Sequence, residues 1–333
     1  MNPRLETPKN LQAAGAAAVT VLLWASAFVA IRHVGTEFSA GALALARLLV
    51  GSVVLGALLF IRPARFIRPA RFIRPTRSAR TTAPATRRWP AKRDWPQLLA
   101  CGLLWFGVYN VALNAAERRL DAGTAAMVVH IAPLLIAVLA GLTLGEGFPR
   151  QLVIGSLVAF GGVVLIGTST STGGAETWGV VLCVVAAVSY AVGVVSQKPL
   201  LDRLPAAQVT WLACTIGAIS CLPFAPTLVR ELRTASATTV WWVVYLGAVP
   251  TALGFTTWAF ALRRTTAGRL GATTYLVPVV AIGLAWLFLG EVPAVLALIG
   301  GAVCLVGVGI SRHRPRAERL AAARTTTEAP ALR

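Results

Sequence analysis

Residues 116–146, AERRLDAGTAAMVVHIAPLLIAVLAGLTLGE, return without a gap 145 positions later as residues 261–291, ALRRTTAGRLGATTYLVPVVAIGLAWLFLGE. Ala116, Arg118, Arg119, Ala122, Gly123, Pro133, Leu139, Ala140, Leu142, Leu144, Gly145 and Glu146 each meet their own kind in the second copy. Shared apolar composition gives only a few such matches. Each copy joins a double-Arg turn to a long apolar run, which is broken by one proline and closed by Leu-Gly-Glu. This is an internal repeat, and it sets how the rest of the chain is read.

The flanking sequence is equally apolar. Hydrophobic residues make up 56% of the 333, charged residues 13%, and the mean hydropathy is +0.72. A soluble domain carries about 25% charge, so the composition places the chain in a membrane. Crossing about 30 Å of hydrocarbon takes about 20 mostly apolar residues. Ten runs qualify, near residues 13–32, 41–61, 98–116, 122–144, 151–168, 177–196, 207–228, 239–262, 268–289 and 293–311. The first, after Arg4 and Lys9, contains Ala25-Ser26-Ala27 in the style of a cleavage site. Apolar residues continue through Phe28, Val29, Ala30 and Ile31, which suits an uncleaved helix.

The formal net charge of +19 sits in the connections, not on one polar domain, so loops facing anionic lipid explain it better than nucleic acid. Loop 62–97 is the most basic. The hexapeptide Phe-Ile-Arg-Pro-Ala-Arg starts at Phe60 and Phe66, and again at Phe72 with Thr76 for alanine. Proline at every sixth residue forbids a regular helix there. With both termini inside, 25 Lys and Arg lie on the cytoplasmic side against five outside, which sets the orientation. Five spans per copy is an odd number, so the copies enter the membrane from opposite sides. The expected fold is therefore an all-α integral membrane protein of ten transmembrane helices in two inverted five-helix repeats. Its parts are a cytoplasmic N-terminus (1–12), a first repeat (13–168), a second repeat (177–312) and a basic cytoplasmic tail (313–333). Secondary transporters have this architecture and hold solute near the midplane between the halves.

The Trp24-Ala-Ser-Ala-Phe-Val-Ala start, Arg47 within the second span, the Gly123-x-Ala-Ala…Pro133-Leu run and the Leu-Gly-Glu ends resemble the EamA-type family of the drug/metabolite transporter superfamily. The resemblance covers roughly residues 13–312. It implies a carrier of amino acids, drugs or other metabolites and leaves the substrate open. The loop from Arg62 to Trp95 departs from the family's compact pattern and inherits no role from it.

Ionisable groups inside a bilayer are costly and point to function. Arg47 lies about 9 Å into its span at 1.5 Å per residue, which suits either a snorkelling anchor or a cavity charge. His130 is at mid-span, and its mate at offset 145 is Tyr275; each stands three residues before a matched proline, Pro133 or Pro278. Those prolines are expected to kink their helices and free a carbonyl one turn earlier. Asn110 and Asn114 share a face of the third span beside Tyr109, either against a neighbouring helix or in a wet cavity. Trp258, Ser189 and Tyr190, and Trp24 with Phe28 complete the polar and aromatic candidates. The substrate site is thus expected from His130, Tyr275, Asn110, Tyr190, Trp258 and Trp24. Glu146 and Glu291 fall at matched helix ends, where a carboxylate that orders the next turn is the simpler reading and proton coupling the other. Coupling through His130, a side chain whose ordinary pKa lies near 6.5, and no ion coupling at all are the other two possibilities.

Cys101, Cys183, Cys214, Cys221 and Cys304 all lie in apolar runs as packing residues, with no metal-ligand spacing. No His-Glu-x-x-His or Gly-x-Ser-x-Gly is present, which argues against a membrane-embedded enzyme. A scaffold or sensor using the basic loop is the remaining competitor. The partners expected are a small-molecule solute and the bilayer of the cell membrane, with anionic lipid at loop 62–97, no nucleic acid and no cofactor. Monomer and homodimer stay open.

Overall fold

A computed structural model describes residues 8–61, 89–120, 125, 128–170, 176–289 and 294–312. The described chain is all-helical. The helices are α1 (Pro8–Val34), α2 (Ala40–Ile61), α3 (Trp95–Ala100), α4 (Tyr109–Glu117), α5 (Ala132–Thr143), α6 (Arg150–Thr170), α7 (Thr177–Leu200), α8 (Ala206–Ser220), α9 (Ala225–Thr234), α10 (Ala237–Leu246), α11 (Gly254–Leu262), α12 (Ala267–Thr273), α13 (Leu276–Leu289) and α14 (Val295–Arg312). Among the described residues, eight stretches are long and apolar enough to cross a membrane, or nine if the bent pair α8 and Leu222–Thr234 is one span. The shorter apolar α5 occupies the fourth expected run, whose start lies partly outside the described residues.

The expected span 207–228 is not straight. It stops at Ser220 and turns by 50° through Leu222–Phe224, where Pro223 cannot donate the next helical hydrogen bond. Beyond the turn, α9 buries Leu228 and carries Arg230, Glu231 and Arg233, and so has one apolar and one polar face.

Two helices contain a wider turn of the π type. Cys101–Val108 joins α3 to α4, and Gly247–Leu253 joins α10 to α11. The second begins and ends within a residue of the first shifted by 145. A π turn leaves carbonyls out of the regular ladder, and polar side chains collect them. Asn110 Nδ2 donates to Phe106 O at 2.8 Å and Trp105 O at 3.4 Å. Thr251 Oγ1 donates to Leu246 O, five residues back, at 2.8 Å. Such turns are frequent at functional sites.

Close packing depends on glycine where α6 crosses α14. A Cβ on Gly155 would collide with the backbone of Ser311, and one on Gly307 with that of Ala159. Small residues of this kind let helix backbones approach within a bilayer. Cys304 closes the contact by donating to Ala159 O at 3.2 Å, in keeping with its expected packing role.

The helix ends are tied by long-range contacts, at one end across the two halves of the sequence. Glu37 accepts from Ser236 N at 2.7 Å and Thr239 Oγ1 at 2.7 Å, at the start of α10. Glu231 accepts from Ser39 N at 3.0 Å, at the start of α2. At the opposite end of the bundle, Lys198 donates to Leu262 O at 2.5 Å and Thr265 O at 2.6 Å, covering the open carbonyls at the end of α11.

Candidate functional site

Among the described residues, a cavity of about 90 Å³ lies between the two halves. One water needs about 10–15 Å³ by this kind of measure, so several waters or a small solute group fit. The α1 face supplies Trp24, Ala27, Phe28 and Ile31, one helical turn apart or nearly so, and α2 supplies Arg47. Trp105 comes from the first π turn and Tyr109, Asn110, Leu113 and Asn114 from α4. Val129, His130, Pro133, Tyr190, Phe255, Thr274 and Val277 complete the lining.

The aromatic wall is a single packed group. Trp24 stacks on Trp258 with centroids 5.1 Å apart, and Trp105 stacks on Tyr190 at 5.2 Å. Phe255 meets Trp24 at 5.3 Å and Trp105 at 4.9 Å. Trp105 comes this close to α7 because residue 193 is glycine; a Cβ there would overlap the indole's own Cβ. Among the described residues, Trp24 Nε1 and Trp258 Nε1 are buried with no hydrogen-bond partner, and the Tyr190 hydroxyl lies toward Thr274.

The helices break beside the cavity. The chain turns at His130–Ile131 before α5 and at Thr274–Tyr275 before α13, positions that match within one residue of the 145 offset. His130 and Tyr275 face each other with ring centroids 6.4 Å apart. They are not equivalent, however. His130 is on the cavity wall, whereas Tyr275 is fully buried behind it, with Cys304 and Val308 in its packing cluster. Pro133 and Pro278 fall in the first turns of α5 and α13, where a missing N–H costs little. The expected free carbonyl before Pro278 is not free: Thr274 O accepts from Val277 N at 2.9 Å.

Of the expected residues, Trp24, Asn110, His130, Tyr190, Pro133 and Arg47 line the cavity together. Trp258 and Tyr275 back it. Glu146 is away from it, and Glu291 lies outside the described residues. Trp105, Phe255 and Thr274 are lining residues that the sequence reading missed. Arg47 is 7% exposed, and its Nε donates to Thr251 Oγ1 at 3.2 Å in the second π turn. It therefore does not snorkel. No cluster suited to a metal ion occurs among the described residues.

A bundle of membrane-length helices around a cavity with aromatic and polar walls defines a carrier-type membrane protein. The model of the EamA-like transporter family matches residues 12–168 and 177–312, and the chain belongs to that family. It is 35% identical over 93% of its length, and 97% of the relative's, to a probable terminal-alkyne amino-acid exporter of Streptantibioticus cattleyicolor. It is 29% identical to a probable amino-acid metabolite efflux pump of Salmonella typhimurium, over 67% of this chain and 79% of that protein. A solved crystal structure shares the fold with a TM-score of 0.67, covering 94% of this chain and 98% of the other at 19% identity. The protein is thus a multi-pass membrane transporter of small solutes, not an enzyme.

Proposed function

We propose that the chain exports an amino acid or amino-acid-like metabolite across the cell membrane by alternating access, through ten spans arranged as two inverted five-helix repeats with both termini cytoplasmic. The observation that carries this reading is the cavity, walled by both halves of the sequence and flanked by helix breaks that match within one residue of the repeat offset. Breaks and π turns at matched positions are what a duplicated carrier needs around a central site, because unwound backbone is tolerated at membrane depth only where it lines a cavity or is covered by protein. The names of the two relatives above support the solute class and the outward direction.

In this reading the end closed by Glu146 and Lys198 is cytoplasmic, and the cavity is the state reached after that end has shut behind the solute. Trp24, Asn110, His130 and Tyr190 contact the solute, while Trp258 and Tyr275 hold those side chains in place. Loop 62–97, most of it outside the described residues, meets anionic lipid on the cytoplasmic surface.

The test is uptake of radiolabelled amino acids into inside-out vesicles from cells expressing the protein. Energy-dependent accumulation above that of control vesicles is expected. Accumulation only in right-side-out vesicles would overturn the direction, and none in either would overturn the substrate class.

A further inference from the structure

We infer that Arg47 is the carboxylate-binding residue of this cavity, and that it selects carboxylate-bearing solutes over organic cations and decarboxylated amines. The inference rests on the exporter reading above and adds to it a specificity-determining side chain.

A guanidinium has five N–H donors. Arg47 commits only Nε, to Thr251 Oγ1 at 3.2 Å, and no carboxylate among the described residues is within ion-pair distance of it. Glu117 influences it electrostatically without bonding to it. The residue is 7% exposed and lines the cavity. A charge buried and left unpaired costs several kcal/mol. An arrangement that keeps one at a cavity wall, with its remaining donors uncommitted to protein, matches a ligand that brings the opposite charge. The planar fork pairs two N–H groups with the two oxygens of a carboxylate.

The rest of the wall agrees in sign. No Asp or Glu is among the lining residues, so nothing described there would hold an ammonium by charge. Neutral acceptors are available instead. Asn110 Nδ2 is used on the carbonyls of Phe106 and Trp105, and Asn114 Nδ2 on that of Ala40 at 3.1 Å. Because a carbonyl requires a donor, these bonds fix which way each amide is turned. Each retains Oδ1, with no donor to it among the described residues, for a solute N–H. The aromatic group of Trp24, Trp105, Tyr190 and Phe255 takes the apolar part. One strong anion site, weak amine acceptors and an apolar wall form a filter that ranks carboxylate first.

The experiment uses purified full-length protein and three probes of one shape: L-leucine, its methyl ester and 3-methylbutylamine. Binding is read as ligand-induced rise in Tm, and transport as uptake into proteoliposomes. Wild type is expected to respond to leucine and weakly, or not at all, to the other two. Arg47→Gln should weaken leucine by roughly tenfold to a hundredfold, the range for losing a charged hydrogen bond, and leave the amine unchanged or improved. Thr251→Ala, which removes the one protein partner and keeps the charge, should retain the preference for leucine. Equal responses of wild type to all three probes overturn the anchor and leave the exporter reading standing. The same holds if R47Q weakens leucine and amine in equal proportion, or if T251A reproduces the loss of selectivity, since either marks a structural role. A wild type that neither binds nor moves any probe contradicts the amino-acid reading and the anchor with it.

Discussion

Glu146 holds Ala267: its Oε1 accepts from the Ala267 backbone N–H at 2.7 Å, and its Oε2 from that of Gly268 at 3.1 Å. A carboxylate at the end of α5 thereby satisfies the first open donors of α12, across 121 residues of sequence. It is presented by two glycines in the left-handed region, Gly145 and Gly147, each with φ of 67°. With Lys198 on the carbonyl end of α11, it bolts one end of the bundle on both sides of the α11–α12 turn.

Glu146→Gln keeps an acceptor but removes the charge that complements a helix N-terminus. The expected loss is about 1–2 kcal/mol at this end of the bundle. In a thermal melt Tm should fall, and a cysteine at Thr265 should become more reactive to a soluble maleimide. Unchanged reactivity would show that the contact is not what keeps this end shut.

Gly193 and Tyr190 separate packing from contact in the aromatic wall. Gly193→Ala pushes Trp105 off α7 and should cost about 1–3 kcal/mol, with loss of transport. Tyr190→Phe removes a hydroxyl that lies toward Thr274, so stability should stay within about 1 kcal/mol of wild type while transport falls. Equal Tm for G193A and wild type would contradict the tight seat assigned to Trp105.

On the α6–α14 crossing, neighbouring glycines should behave oppositely. Gly162→Ala meets the backbone of Gly300 and Cys304 and is expected to destabilise by about 1–3 kcal/mol. Gly161→Ala has open space and should be neutral or stabilising by up to about 1 kcal/mol through the helix preference of alanine. Detergent melts of the two variants side by side check this.

His130 and Tyr275, paired in the sequence, should part in function. His130→Ala removes a cavity-wall side chain, and a tenfold or greater fall in transport is expected, the scale of one polar contact. Tyr275→Phe takes away a buried hydroxyl without a partner and should leave transport within about twofold of wild type. A large transport defect in Y275F would return Tyr275 to the cavity.

The repeat was legible in the sequence because the same residues recur at one offset. The helix breaks follow from it: His130 and Tyr275 stand at matching turns. What periodicity does not encode is the side of a helix that a neighbour covers. Arg47 was therefore open between anchor and cavity until Thr251 and the cavity wall placed it, and Tyr275 was read as equivalent to His130 although it is fully buried in the cluster that holds Cys304 and Val308. Trp105 was missed for a related reason. A tryptophan in an apolar run reads as lipid-facing or core, and the signal that would have found it is Gly193, a glycine on another helix. Glu146 lies at the helix end where expected, but its partner is long-range, and helix-end chemistry alone predicts only the next turn.

The inverted arrangement of the two copies is tested most directly by the sidedness of their double-Arg turns. Arg118 and Arg263 are both exposed, and the native cysteines are buried, so single cysteines at these positions report cleanly. With a membrane-impermeant maleimide on intact cells, Arg118→Cys should label and Arg263→Cys should label only after permeabilisation. Labelling of both, or of neither, before permeabilisation would place the turns on one side of the membrane and contradict the account.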